Sequence, residues 1–178
     1  ADAICKLSQQ GVRVRILTNS LASNDVAAVH TGYMRHRKQL LRCGVELYEL
    51  NEQLKKVEGK LFTWLPGLSK SSLHAKTMAM DKNTMFVGSF NFDQRSLNIN
   101  TEIGIVFDDP EIAAASSNNF DKHIDKVAFK VELIDDSLKW TGTGEGGKQV
   151  VFDVEPYTSI WKRISVNLMR VLPVDFML

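Results

Sequence analysis

The chain holds 178 residues, its 22 Lys+Arg against 21 Asp+Glu give a net charge of +1, and 44 % of it is hydrophobic. With only 11 Gly and 4 Pro, this composition excludes a disordered, collagenous or low-complexity chain. No apolar run approaches the ~20 residues that a membrane-spanning helix needs, and a chain of this size buries roughly 70 % of its unfolded surface as one domain.

In chain order, Ala3, Ile4 and Leu7 fall at helical spacing, and Gly11 stands where such a helix would stop. Val12 to Leu17 alternates like a strand and is broken by Thr18-Asn19-Ser20. A helix is expected from Asp25 to Cys43, closed by Gly44, and then a strand from Val45 to Leu50. Residues 51–71 read as irregular, with a turn at Trp64-Leu65-Pro66-Gly67. Leu73 to Met80 and Thr84 to Val87 read as a hairpin around Asp81-Lys82-Asn83. A strand from Thr101 to Phe107 precedes a helix that Pro110 starts and Val127 ends. Residues 130–152 hold two or three short strands interrupted by the loop 141–147, and 157–172 form an amphipathic tail helix. The βαβ rhythm predicts an α/β fold with a mixed sheet and helices on both faces. The short first helix is marginal alone and is expected to pack on something upstream, as in a piece of a longer protein.

Charge is unevenly spread: residues 30–76 carry nine Lys/Arg against four Asp/Glu, and residues 77–160 carry seven against fourteen. The basic run Arg35-His36-Arg37-Lys38 through Arg42 reads as a solvated helix face, with attraction to anionic lipid as the sharper alternative. In the tail helix, Tyr157, Ile160, Trp161, Ile164, Leu168, Val171 and Leu172 share one stripe, which is expected to cover the core. Membrane-surface docking of that stripe is the alternative. Cys5 and Cys43 match no metal spacing and no disulfide framework, so they are expected to be reduced thiols facing the cytosol.

Chemistry concentrates between Ser72 and Glu102. His74 and Lys76, two apart on an expected strand, leave the same face. Gly88-Ser89-Phe90-Asn91 follows the return strand and brings Asn91 back to the level of His74. A histidine beside a fixed cation and an amide suits a tetrahedral anion. Lys76 and Asn91 would neutralise and hydrogen-bond phosphate oxygens, and Ser89 would add a donor. His74 can attack phosphorus or exchange a proton with the leaving alkoxide. Glu102 could accept from the second ring nitrogen. Asp81 reads as a turn residue, and His30 is a candidate lining residue for the substrate pocket. The cluster calls for no metal and no cofactor.

His74-x-Lys76-x4-Asp81-x6-Gly88-Ser89-x-Asn91 resembles the HKD motif of the phospholipase D superfamily. The run from Asn91 to Glu102, the segment from Thr18 to Tyr33 and the closing residues from Glu155 are similar to bacterial cardiolipin synthases, nearest the cardiolipin synthase C branch. The resemblance implies one lobe of a two-lobed fold, residues 1–178 forming a single C-terminal domain. It implies phosphatidyl transfer through a phosphohistidine, with phosphatidylglycerol and phosphatidylethanolamine as substrates. His74 would be the general acid/base. The implied partners are a missing N-terminal HKD half of the same chain and the membrane surface, with the protein peripheral on the cytosolic face of the bacterial inner membrane. Nucleic acid is not an expected partner. Two rivals are a nuclease pairing one motif per chain as a homodimer and an inert half-domain.

Overall fold

The computed structural model describes residues 1–24, 27–53, 73–74, 76–91 and 94–171, and of 27–29, 94, 97, 145, 170 and 171 the backbone alone. The expected turn at 64–67 lies outside them.

Two helices open the fold and both end in the same way. Helix α1 (Asp2–Gln9) is followed by Gly11 at φ 91°, and helix α2 (Ala27–Arg42) by Gly44 at φ 90°. Gly11 and Val12 donate to Ser8 and Leu7, and Gly44 and Val45 to Leu41 and Leu40. This is the double closure that a left-handed glycine permits. Strand β1 (Arg15–Thr18) leaves α1 and pairs in parallel with β2 (Glu46–Leu50), which leaves α2.

The hairpin is present and shorter than expected: β3 (Thr77–Met80) and β4 (Thr84–Gly88) pair antiparallel, and β5 (Gly104–Asp108) pairs with β4. A short helix α3 (Gln94–Asn98) lies between β4 and β5. Helix α4 (Pro110–Val127) starts with Pro110 in its first turn, and Asp109 caps it by accepting from the Ile112 amide. It runs straight into β6 (Ala128–Ile134), followed by β7 (Ser137–Thr143), a one-turn 3₁₀ segment at Glu145–Gly147, and β8 (Gln149–Phe152). Helix α5 (Ile160–Val171) closes the described chain.

The strands form two sheets, one in the order β1-β2-β6-β7-β8 and the other in the order β3-β4-β5. Only the β1–β2 pair of the larger sheet is parallel, so that sheet is mixed. Strand alternation sends Leu47, Phe129 and Val131 to one face, where Leu40, Val45, Trp140 and Cys5 meet them from α1, α2 and β7. Tyr48 and Ala128 point the other way and meet Ile124 and Val127 of α4. Helices therefore cover both faces, and the α/β expectation holds. α4 also packs on β3 and β4, joining the two sheets.

Three sequence expectations are corrected. Cys5 and Cys43 are joined as a disulfide, because the middle of α1 lies on the end of α2 and brings their Cα atoms to 5.4 Å. That pairing removes the thiol argument for a cytosolic setting. Within the basic run, Arg37 turns inward to Glu49 and Glu155, and Lys38 and Arg42 pair with Asp136, so it is no free cationic face. The tail helix presents its apolar stripe outward: Ile160, Trp161, Ile164 and Leu168 are exposed, Trp161 at 76 %, and Val166 on the opposite side is fully buried against the body. Lys162, on the inner side, reaches the Asn24 carbonyl.

Candidate functional site

The end of β1 and the small sheet carry the candidate residues. Just past β1, the Asn19 amide is bonded twice to the backbone of Leu73: Leu73 N–H donates to Oδ1 at 2.8 Å, and Nδ2 donates to the Leu73 carbonyl at 2.9 Å. His74 follows, exposed to solvent. Lys76 Nζ lies 2.9 Å from His74 Nε2 and donates to the His74 carbonyl at 3.1 Å. An ammonium has no lone pair, so Nε2 is the acceptor in this contact. The two side chains meet just ahead of β3, which begins at Thr77, and not on the strand expected for them.

The return strand closes the other side. Gly88 N–H donates to the Lys76 carbonyl at 3.0 Å, and Ser89 N–H to the Ile103 carbonyl at 2.9 Å. A glycine is needed at 88 for space: a Cβ there would lie 2.7 Å from the Ile103 oxygen and 2.7 Å from the Phe86 ring. Ser89 Oγ donates to Glu102 Oε2 at 2.5 Å and accepts from the Ile103 amide at 3.1 Å. Asn100 donates to the other Glu102 oxygen at 3.2 Å, and Arg95 holds Asn100 at 3.1 Å. Hydrogen bonds from Ser89 above all, then from Ser96 and Asn100, with the charge of Lys76, hold Glu102 below the usual carboxylate range. It is a fixed negative charge.

The structure thus gathers His74, Lys76, Ser89 and Glu102 at one end of the small sheet. Ser89 differs from expectation, since its amide and hydroxyl are both engaged within the fold and organise Glu102. The hydrogen bonds of Glu102 run to this serine and asparagine network. Asn91 is exposed, two residues beyond Ser89. Asp81 stands at the far end of the hairpin, about 16 Å along the chain from Lys76 at ~3.3 Å per residue. Asp81 and Lys82 take φ of 51° and 54°, and Asn83 N–H donates to the Met80 carbonyl at 3.0 Å. This is the tight turn that matches strand twist, and the structural reading of Asp81 fits it.

His30 is buried within the fold. It is 1 % exposed on α2, with Nε2 3.9 Å from Glu155 Oε2, and neither atom has a hydrogen-bond partner among the described residues. Burial first, then the charges of Arg37 and Lys162, push its pKa down to about 3, so it is neutral at physiological pH. Around it, Arg37 donates to Glu49 at 2.8 Å and to Glu155 at 2.7 Å, and Tyr33 and Trp140 also donate to Glu49. Burial alone would lower the Arg37 pKa, but the carboxylates of Glu49 and Glu155 outweigh it and raise it. This network packs α2 on the large sheet.

Residues 1–124 match the family model described as "Cardiolipin synthase, PLD-like domain". The chain belongs to the cardiolipin synthase family of phospholipase D-like domains. It is similar to cardiolipin synthase C of Escherichia coli, 42 % identical over 98 % of this chain and 37 % of that protein. An uncharacterised protein of Helicobacter pylori is 33 % identical over 92 % of this chain and 32 % of its own length. Cardiolipin synthase A of Yersinia pseudotuberculosis is 32 % identical over 71 % of this chain and 22 % of its own length. The chain spans about a third of the length of the first two of these relatives and about a fifth of the third. No solved structure matches it. The sequence reading gave Asn19 no role of its own, only a place at a strand break and within the Thr18–Tyr33 run that resembles the family.

Proposed function

We propose that this family domain supplies one of two HKD motifs to a phosphatidyltransferase that joins glycerophospholipids into cardiolipin. The observation carrying this reading is the His74–Lys76 pair, Nε2 to Nζ 2.9 Å, beside the glycine-opened strand end. When a phosphodiester enters, Lys76 turns to a non-bridging oxygen and Asn91 adds an amide donor, both acting most strongly as charge grows on phosphorus. The histidine of the second motif attacks phosphorus, forming an N–P bond as the P–O bond to the leaving glycerol breaks. His74, protonated, gives its proton to that alkoxide. The acceptor hydroxyl then loses its proton to His74 and attacks the phosphohistidine, releasing the ring. Glu102 supports Lys76 and holds the Ser89 loop.

The missing motif has a surface to meet. Met78, Phe86 and Val106 are register partners on one face of the small sheet, and alternation puts Lys76 on that face too. On it Met78 and Val106 are exposed, Val106 at 64 %, and Phe86 is half-buried; on the opposite face Met85 is buried while Val87 and Ile105 are exposed. We assign the open face to the N-terminal half of the same polypeptide, with 1–178 as the C-terminal domain. We place the whole protein peripherally at the bacterial inner membrane.

The test is the full-length protein with labelled phosphatidylglycerol, with and without phosphatidylethanolamine. His74→Ala abolishes transfer, Asp81→Ala mainly lowers stability, and an adduct trapped by acid quench maps to the other histidine. An adduct on His74 overturns the acid/base assignment. Full activity of His74→Ala, or turnover by a strictly monomeric 1–178 chain, overturns the two-motif reading.

A further inference from the structure

The orientation of His74 depends on the two peptide planes that flank it. The plane after it carries the His74 carbonyl, which accepts from Lys76 Nζ at 3.1 Å, and the chain is held further on by the bond from Gly88 N–H to the Lys76 carbonyl. The plane before it carries the Leu73 carbonyl, which accepts from Asn19 Nδ2 at 2.9 Å, and the Leu73 N–H is bonded to Asn19 Oδ1 at 2.8 Å. A primary amide placed in this way stands in for one rung of a strand ladder, because it offers a donor and an acceptor side by side.

Asn19 is itself fixed. It follows β1, which is tied to α4 through Arg15 and Asp121. It precedes a turn in which Ser20 and Ser23, both buried, bond each other's hydroxyl, amide and carbonyl groups. Lys162 of α5 holds the Asn24 carbonyl just beyond at 3.5 Å. The large sheet therefore reaches the small one through a side chain that ends one residue before His74.

We propose that Asn19 is the positioning residue of His74: its amide sets the peptide plane before the histidine and so fixes where the imidazole stands beside Lys76. The proposal rests on the preceding reading only in taking His74 as the reacting group. Asn19 touches no substrate. It acts by keeping one ring within the few tenths of an ångström that in-line chemistry tolerates, and a misplacement of about 1 Å costs on the order of 10²-fold in rate.

The test uses Asn19→Ala and Asn19→Asp in the full-length protein. Asp keeps the acceptor for Leu73 N–H, lacks the donor and sets a carboxylate against the Leu73 carbonyl, so it falls between wild type and Ala. Three quantities are read: kcat and KM with phosphatidylglycerol vesicles, the melting temperature, and hydrogen exchange of the Leu73 amide by mass spectrometry. The expected result for Asn19→Ala is a kcat lower by about 30- to 100-fold with KM within about threefold. Leu73 exchange accelerates strongly, while peptides from β2 and β6 stay protected. His74→Ala runs alongside as the control on the functional reading. If that control keeps its activity the reading of the site fails, and the Leu73 exchange still judges the clamp. Unchanged Leu73 exchange in Asn19→Ala overturns the proposal, and so does accelerated exchange with kcat within twofold of wild type. A loss of rate that follows only the fraction unfolded, in both variants, overturns it as well.

Discussion

Replacing Arg37 by Met tests the buried charge network most directly. Arg37 is 2 % exposed, and its guanidinium lies 4.9 Å from the Trp140 ring centre while donating to Glu49, fully buried, and to Glu155. Met fills the stem volume and leaves two buried carboxylates with no cation between them. Removing one partner of such an arrangement costs about 3–5 kcal/mol, because the desolvation of the remaining charges is no longer offset. For a domain of this size that is a fall of about 10 °C in melting temperature. The pH dependence carries the sign. Burial already raises Glu155, and without the Arg37 charge beside it that carboxyl rises further. A carboxyl with a raised folded pKa stabilises fully below its unfolded value and loses that contribution as pH rises through the folded one. The deficit of Arg37→Met is therefore largest near neutral pH and shrinks towards about pH 5. Arg37→Lys keeps a charge but cannot fork to two carboxylates, so it falls between. Thermal melts by circular dichroism at the two pH values read this out. A deficit below about 1 kcal/mol at neutral pH, or one of equal size in acid, refutes the reasoning.

His30→Gln reports the neutral histidine: with a folded pKa of about 3, wild type loses stability as pH falls below the unfolded value of 6.5, about 2 kcal/mol by pH 5, and the variant lacks that part of the slope. Parallel acid-titration slopes for the two proteins would contradict it. Opening the Cys5–Cys43 link, which spans 38 residues of sequence, costs about 4 kcal/mol on the chain-entropy account, so reductant lowers the melting temperature of wild type and not of a Cys5→Ser/Cys43→Ser variant. Gly88→Ala meets the Phe86 ring and the Ile103 carbonyl at 2.7 Å each, which costs about 1–3 kcal/mol by overpacking and lowers transfer at least tenfold. Adding Phe86→Leu restores part of the stability, and a Gly88→Ala protein with wild-type melting and activity would show the site has room.

What the sequence revealed and what it hid divide along one physical line. Gly11, Gly44 and Pro110 set helix ends by local backbone chemistry, so α1, α2 and α4 could be placed to within a few residues. The i, i+2 spacing of His74 and Lys76 suggested a shared strand face, whereas the two stand just ahead of β3 and meet through the Nζ–Nε2 contact. Periodicity, however, says which residues share a face and not which way that face turns. The stripe of α5 was legible, and its outward orientation was not, because that depends on α2 and on the acceptors waiting for Lys162. Arg37 looked like its neighbours in a basic run until Glu49 and Glu155, from distant parts of the chain, met it. The Cys5–Cys43 pairing and the Asn19–Leu73 bonds are likewise products of tertiary approach, with separations of 38 and 54 residues.

The outward arc of α5 also decides how this protein behaves at the bench. Ile160, Trp161, Ile164 and Leu168 are accompanied on that side by Ser165 and Asn167, so the arc carries no charge among its described side chains. A contact made through such a surface has almost no Coulomb component for salt to screen. Washing at high ionic strength leaves it in place, sulfate tightens it by strengthening apolar burial, and mild detergent releases it. Extraction that proceeds by salt alone would mean that some other, charged surface is what holds the protein.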